Sequence, residues 1–142
     1  MKDFSSSEAR YLALVYRSLM KHLDRELAPM GLGPGRYQYL FVLYVEDGRR
    51  QQDIADRLGL DKAAVTRSLV RLEEDGYIRR KADANDGRVT RVYLTAKGRR
   101  IQGTLEAAAE SSMARLTAPL ELSEREMLGK LLTKMALPLL GE

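Results

Sequence analysis

The residues of this chain best equipped for chemistry are arginines. Arg67 and Arg71 stand four positions apart, and Arg88 and Arg91 follow directly on an Asp86-Gly87 pair. A guanidinium is a planar fork of donors that grips a phosphate, or the O6 and N7 of guanine, with two hydrogen bonds. That is the chemistry of recognition, not of bond making. The groups that make and break bonds are scarce. The chain has no cysteine, so thiol catalysis and disulfides are excluded. Its single histidine, His22, has no cysteine or acidic cluster at metal-ligand spacing around it. No glycine-rich phosphate loop or nucleophile elbow occurs. The expectation is a protein that is not an enzyme, with no catalytic residue, no metal and no cofactor. His22 is expected at a surface or a subunit interface.

The arginines sit where the charge is. Residues 47–100 carry fourteen Lys and Arg against nine Asp and Glu, a surplus of five, whereas the rest of the chain has ten against eleven. A basic segment of this kind attracts nucleic acid, because each phosphate it neutralises releases condensed counterions. The 142 residues, 44% hydrophobic and 31% charged, suit one globular domain with a real core. No apolar run approaches the roughly 18–20 residues of a membrane span. The first residues, MKDFSSSEAR, lack the apolar stretch of a secretory signal. A cytoplasmic protein that does not engage membranes is expected.

Local signals outline the elements that position the arginines. Residues 5–29 predict one long helix, with Ser5 and Glu8 at capping-box spacing, Leu12, Val15, Leu19, Leu23 and Leu27 in a stripe, and Pro29 at its end. A second helix is expected from Pro34 to about Glu46, stopped by Asp47-Gly48. A short helix from Gln51 to Leu58, Gly59 in a left-handed turn, Asp61 as a cap and a helix from Lys62 to Asp75 make a helix-turn-helix. The β-prone runs 77–81 and 88–94, around Asn85-Asp86-Gly87, predict a hairpin, which in this place is a wing. Residues 96–116 read as helix. Pro119 breaks it, and Ser123 with Glu126 predicts the cap of a last helix whose inner face holds Leu128, Leu131, Leu132 and Met135. The fold class is mainly α (α+β), with the winged helix-turn-helix at 34–98 flanked by helices at 5–29 and 99–140 in a single domain of 1–142.

At about 100° per residue, Val65, Leu69 and Leu72 anchor the helix after Asp61, while Ala63, Arg67, Arg71 and Glu74 face away. Small Ala63 and Ala64 let such a helix sink into the major groove of DNA, where Arg67 and Arg71 can read guanine. Lys62 and Thr66 lie beside that face, suited to phosphates. A solvated face with Arg71–Asp75 and Lys62–Thr66 surface pairs is the competing reading. The wing decides between them. Arg88 and Arg91 stand at a hairpin tip that can enter a narrow minor groove, and Asp86 is placed to hold the Arg88 guanidinium with two bonds.

The run Gln51-Gln52-Asp53-Ile54-Ala55-Asp56-Arg57-Leu58-Gly59-Leu60-Asp61-Lys62-Ala63-Ala64-Val65-Thr66-Arg67 strongly resembles the helix-turn-helix of the MarR (multiple antibiotic resistance) regulators. The continuation Leu72-Glu73-Glu74-Asp75-Gly76-Tyr77-Ile78-Arg79-Arg80 does so too, and Asp83, Asp86 and Arg88 match that family's Asp-x-x-Asp-x-Arg wing motif. Leu94, Thr95 and Gly98 match its Leu-Thr-x-x-Gly. The likeness covers essentially the whole chain. It implies a homodimer whose terminal helices intertwine, acting as a transcriptional regulator, in the commonest case a repressor, on a pseudo-palindromic double-stranded operator. For many members it also implies release from DNA by a small anionic phenolic or other aromatic effector. The absence of cysteine excludes the thiol-based peroxide sensors of the family, and the lone histidine speaks against its zinc sensors.

The chain departs from the pattern in two places. Arg49 and Arg50 stand where an apolar residue and a Ser or Thr cap are usual, which adds positive charge ahead of Gln51. Gly87 replaces the first of a frequent arginine pair. The expected DNA-binding set is therefore Arg49, Arg50, Gln51, Lys62, Ala63, Ala64, Thr66, Arg67, Arg71, Asp86, Arg88 and Arg91. For the effector, Arg17 corresponds to a position that holds a ligand carboxylate in some relatives, with Tyr11, Tyr37 and Tyr39 as companions. The alternatives there are an Arg17 salt bridge across the dimer and tyrosines that are simply core, which would leave a DNA-binding or architectural protein without an effector.

Overall fold

A computed structural model describes residues 7–141 of the chain. Helix α1 runs from Glu8 to Leu27 and tightens into a 3₁₀ turn over Ala28–Met30, where Pro29 can no longer donate to the helical ladder. Ser7 occupies its cap position without a side-chain bond, and the expected Ser5 cap lies outside the described residues. The α1 stripe divides in two. Leu23 and Leu27 are buried, whereas Leu12 and Val15 are 54% and 50% exposed.

Helix α2, Tyr37–Val45, starts three residues later than Pro34 suggests. Gly35, at φ +73°, turns the chain and donates its N–H to Asp24 Oδ1 at 2.9 Å. The Arg36 guanidinium reaches back to the carbonyls of Gly31 and Gly33, at 2.9 and 2.7 Å. The Asp24 bond latches this loop to α1, and the Arg36 bonds hold residues 31–36 together.

Strand β1 (Arg49–Arg50), helix α3 (Gln51–Leu58) and helix α4 (Lys62–Glu74) follow, then strands β2 (Ile78–Ala82) and β3 (Thr90–Leu94). The antiparallel sheet has the order β1-β3-β2, with Ile78 opposite Leu94 and both Arg49 and Arg80 opposite Val92. Ile78, Val92 and Leu94 thereby face the core, against Leu40, Ile54, Val65, Leu69 and Leu72. The third strand is a correction to the hairpin alone. The hairpin loop is also longer than a tight Asp-Gly turn, spanning 83–89 and closed by Asp83 N–H donating to Val89 O at 2.8 Å.

Beyond the sheet the expected helix of 96–116 is two helices, α5 (Ala96–Arg100) and α6 (Gln102–Thr117), parted at Ile101. Helix α7 covers Leu122–Ala136, and its capping box is Glu121 with Glu124, not Ser123 with Glu126. A turn closed by Leu120 N–H on Thr117 O leaves Glu121 extended at φ −74°, ψ 163°, which is the conformation a cap requires. The α7 face expected to point inward is open in the single chain. Leu131, Leu132 and Met135 are 50%, 40% and 60% exposed, and no residue of α7 is buried.

Helix α6 packs on α1, and His22 sits in that seam instead of on a free surface. Its Nδ1 lies 2.5 Å from Ser112 Oγ. Because the Ser112 hydroxyl proton goes to the Ala108 carbonyl at 2.8 Å, Nδ1 is the donor of the pair. No helix among the described residues is long and apolar enough to cross a membrane.

Candidate nucleic-acid interface

Helix α4 is set by its ends. Gly59, at φ +65°, closes α3, and its neighbour Leu60 N–H bonds back to Ala55 O at 3.1 Å. Asp61 then caps α4 by accepting from Ala64 N at 2.9 Å. With Val65, Leu69 and Leu72 fully buried, helical geometry turns Ala63, Arg67 and Arg71 outward, and all three are exposed. Arg67 makes no hydrogen bond or ion pair among the described residues. Arg71 spends one nitrogen on Asp75, Nε to Oδ2 at 3.3 Å, the surface pair that was its competing reading. Gln51 Nε2 donates to Thr66 Oγ1 at 2.9 Å, tying the start of α3 to α4, while Thr66 donates to the Lys62 carbonyl.

Asp83 organises the wing. Its carboxylate accepts the N–H groups of Asn85 and Asp86, each at 3.0 Å, and the Nε of Arg91. Arg91 also donates to Gly48 O at 2.9 Å, so its guanidinium is taken up in holding the loop to the start of β1. Arg88 is different. Its side chain is 91% exposed and forked on Asp86, Nε to Oδ1 at 3.1 Å and Nη2 to Oδ2 at 3.3 Å. The Arg88 fork and its backbone N–H hold the Asp86 carboxyl below the usual carboxylate range, and Arg91 with the two loop N–H groups does the same for Asp83.

A hollow of about 310 Å³ opens between the wing and the two helices. Arg50, Gln51, Lys62, Thr66 and Arg88 line it, so five expected residues converge on one concave, cationic space. Arg49 does not join them. It is only 8% exposed, with Nη1 at 2.8 Å from Asp53 and 3.2 Å from Glu46, because its strand register with Val92 turns it inward. The charge expected from it is spent inside the fold. Arg50 alone of the pair is exposed, and it caps α3 with backbone only.

A profile of the MarR family matches residues 30–89. The HTH-type transcriptional regulator BilQ of Clostridioides difficile (strain CD3) is 30% identical over 108 residues, 73% of each chain. The chain belongs to the MarR family. HTH-type transcriptional regulator YdgJ of Bacillus subtilis (strain 168) is 33% identical over 105 residues, which cover 74% of this chain and 64% of that protein. The MarR transcriptional regulator of Methanosarcina mazei Go1 superposes with a TM-score of 0.85 at 28% identity, over 89% of this chain and 91% of that one. CouR of Rhodococcus jostii RHA1, solved with p-coumaroyl-CoA bound, shares the fold at a TM-score of 0.82 and 22% identity, over 97% of both chains.

Two positioning devices of this MarR chain escape a reading aimed at exposed arginines. Glu73 accepts from both the backbone N–H (2.8 Å) and Nε (3.2 Å) of Arg80, fixing how β2 leaves α4; these bonds, the backbone one first, draw its carboxyl below the usual range. Gly98 passes so close to the sheet that a Cβ would lie 2.3 Å from Tyr77 O. Thr95 caps α5 just before it and donates to Gly76 O at 2.5 Å. Tyr44 donates to Gly98 O at 2.6 Å, and burial pushes its hydroxyl up to about 12, which keeps it a donor. The motifs around Glu73-Arg80 and Leu94-Thr95-Gly98 carried that signal as family pattern only.

The four effector candidates are scattered. Arg17 edges an open hollow of about 540 Å³ with Tyr16, Met20, Lys21, Asp24 and Arg25. Tyr37 is buried beneath it, donating to Met20 Sδ at 3.1 Å, and burial raises its pKa. Tyr39 is a core side chain, and Tyr11 is half-exposed farther up α1.

Proposed function

We propose that this MarR-family regulator binds a pseudo-palindromic operator as a homodimer and represses transcription from it. Arg67 reads base edges in the major groove, Arg88 enters the minor groove, and Arg50, Gln51, Lys62 and Thr66 hold phosphates between them. The observation that carries this reading is the pairing of an unengaged Arg67 guanidinium on α4 with a projecting Arg88 on the far side of one cationic hollow. The homodimer rests on the open apolar faces of α1 and α7, which a second copy of the same faces covers.

Selection from a random duplex pool should enrich a two-fold site whose half-sites lie about one helical turn apart. On that site Arg67→Ala should cost about 1–3 kcal/mol and relax the preference at one position of each half-site. Intact discrimination in Arg67→Ala would remove α4 from the reading role.

A second reading concerns control by an anionic aromatic ligand at Arg17. It is favoured by the hollow in which Tyr16, Met20 and Ala28 offer apolar surface beside Arg17, Lys21 and Arg25, and by CouR, a relative in fold with a bound aromatic thioester. Millimolar salicylate should weaken the protein–operator complex, and DNA should weaken salicylate binding by the same factor. An Arg17→Ala variant that responds like the wild type places the site elsewhere.

A further inference from the structure

The wing has a second cationic face. In the β2–β3 register Arg79 lies opposite Tyr93 and Lys81 opposite Arg91, on the side of the sheet away from Ile78, Val92 and Leu94. Arg79, Lys81 and Tyr93 are exposed, with the Lys81 ammonium 5.9 Å from the centre of the Tyr93 ring. Neither Arg79 nor Lys81 has a carboxylate within ion-pair distance among the described residues. They edge a hollow of about 330 Å³ whose single acid is Asp47. That acid is already occupied, Oδ1 by Leu94 N–H at 2.8 Å and Oδ2 by Arg99 at 2.6 Å. The face therefore has positive charge to offer an outside partner.

We propose that this outer face grips the second sugar-phosphate strand of the minor groove the wing enters, so that each wing is clamped by DNA on both sides. The inference rests on the DNA-binding reading and extends it to phosphates beyond the base pairs that Arg67 reads. A hairpin tip in the minor groove has one strand on either flank, because that groove is only about 6 Å wide. The hollow holding Arg50, Lys62 and Arg88 serves the strand on the α4 side. The other strand meets the outer face. Lys81 pairs with Arg91, three residues from Arg88, which places it back from the tip by at most about 10 Å, the length of three residues at a strand rise near 3.3 Å. The minor groove is about 7.5 Å deep, so with Arg88 at the floor Lys81 stands at the phosphate rim. Arg79 lies about 7 Å farther back from the tip along the same strand, above the rim, where its long side chain can reach down toward the same run of phosphates.

The test uses the full chain and the site selected from the random pool, in two duplexes. One stops at the last base pair that shows sequence preference, and the other adds about ten base pairs of unrelated sequence at each end. The wild type should bind the longer duplex more tightly, with a steeper salt dependence. The double variant Arg79→Gln/Lys81→Gln, with unchanged thermal melting and dimerisation, should lose that gain while binding the short duplex as the wild type does. Four phosphate contacts per dimer correspond to a slope change of about 3.6 in log K against log salt, or about 150-fold between 50 and 200 mM. Lys130→Gln/Lys134→Gln removes the same charge from α7 and should leave the gain intact. Equal loss on both duplexes, equal loss in the α7 control, or no gain from flanking DNA in the wild type overturns the clamp while leaving the regulator reading in place. Failure of the pool to enrich any site overturns both.

Discussion

The reading head and the terminal helices solve the burial problem in opposite ways. The head closes on itself: Ile54, Val65, Leu69, Leu72 and Val92 are fully buried, and Asp61, Thr95 and Glu73 satisfy the ends of its elements with their own side chains. Helix α7 buries nothing, and the first half of α1 leaves Leu12, Leu14, Val15 and Tyr16 between 43% and 54% exposed. A folded head needs only its own sequence. The arms carry an apolar surface that the described residues leave open, and in the proposed homodimer its burial makes their stability depend on concentration.

Substitutions on the two sides separate these regimes most sharply. Leu131→Asp should shift the monomer–dimer equilibrium by a hundredfold or more, since a two-fold interface loses about 1.5–3 kcal/mol of leucine burial twice. Analytical ultracentrifugation reads this directly, and a variant that dimerises like the wild type would end the account of α7 as an interface. Leu69→Ala should lower stability by about 2–5 kcal/mol through a cavity in the head. That loss should be the same at every protein concentration in chemical denaturation of the dimer-deficient variant.

A smaller effect is confined to the wing. Arg88→Ala should weaken operator binding by at least tenfold with little change in the melting temperature, since the side chain is 91% exposed and its only bonds are to Asp86. Asp86→Asn should reproduce part of that loss by freeing the guanidinium to sample other rotamers. Near-normal affinity in Arg88→Ala would make the wing a cover and not a contact.

The smallest expected effect is that of pH. Asp83 and Asp86 are held down, first by their side-chain bonds to Arg91 and Arg88 respectively, so the folded wing binds fewer protons than the unfolded chain in acid. Their contribution is complete above the unperturbed carboxylate value of about 3.9 and fades as pH falls through the lower folded values. These groups should therefore leave DNA affinity flat from pH 5 to 8. Carboxyl carbon titration by NMR with midpoints above 4 would show that the forks do not persist in solution.

Local chemistry made the head legible in advance. A left-handed Gly59, a capping Asp61 and leucines at turn spacing act within a few residues, so α3 and α4, with Gln51, Lys62 and Thr66 on them, follow from short stretches. What stayed hidden depends on distant partners. Arg49–Arg50 is a strand only because β3 comes alongside, and the same pairing buries Arg49 against Glu46 and Asp53. Arg91, expected among the contact residues, has its Nε and Nη1 engaged by Asp83 and the Gly48 carbonyl, partners its neighbours in sequence do not reveal. The parting at Ile101, between Gly98 and Gly103, is made by one residue at φ −88°, ψ 0° within a run that otherwise reads as helix, and the Glu121 cap depends on the turn that Leu120 closes.

The joint at Ile101 gives the molecule a mechanical ratio. Below it, α5 is pinned to the head, by Thr95 on Gly76, Tyr44 on Gly98 and the missing Cβ of Gly98 against Tyr77. Above it, the 16 residues of α6 form a rod about 24 Å long. With the head held fast at one end, a tilt of about 10° at the joint carries the far end of that rod through about 4 Å. Half-sites must stand about 34–36 Å apart to meet successive major grooves. A bend of about 10° at one residue thus becomes, at the end of the lever, an error in reach larger than a base-pair step of about 3.4 Å.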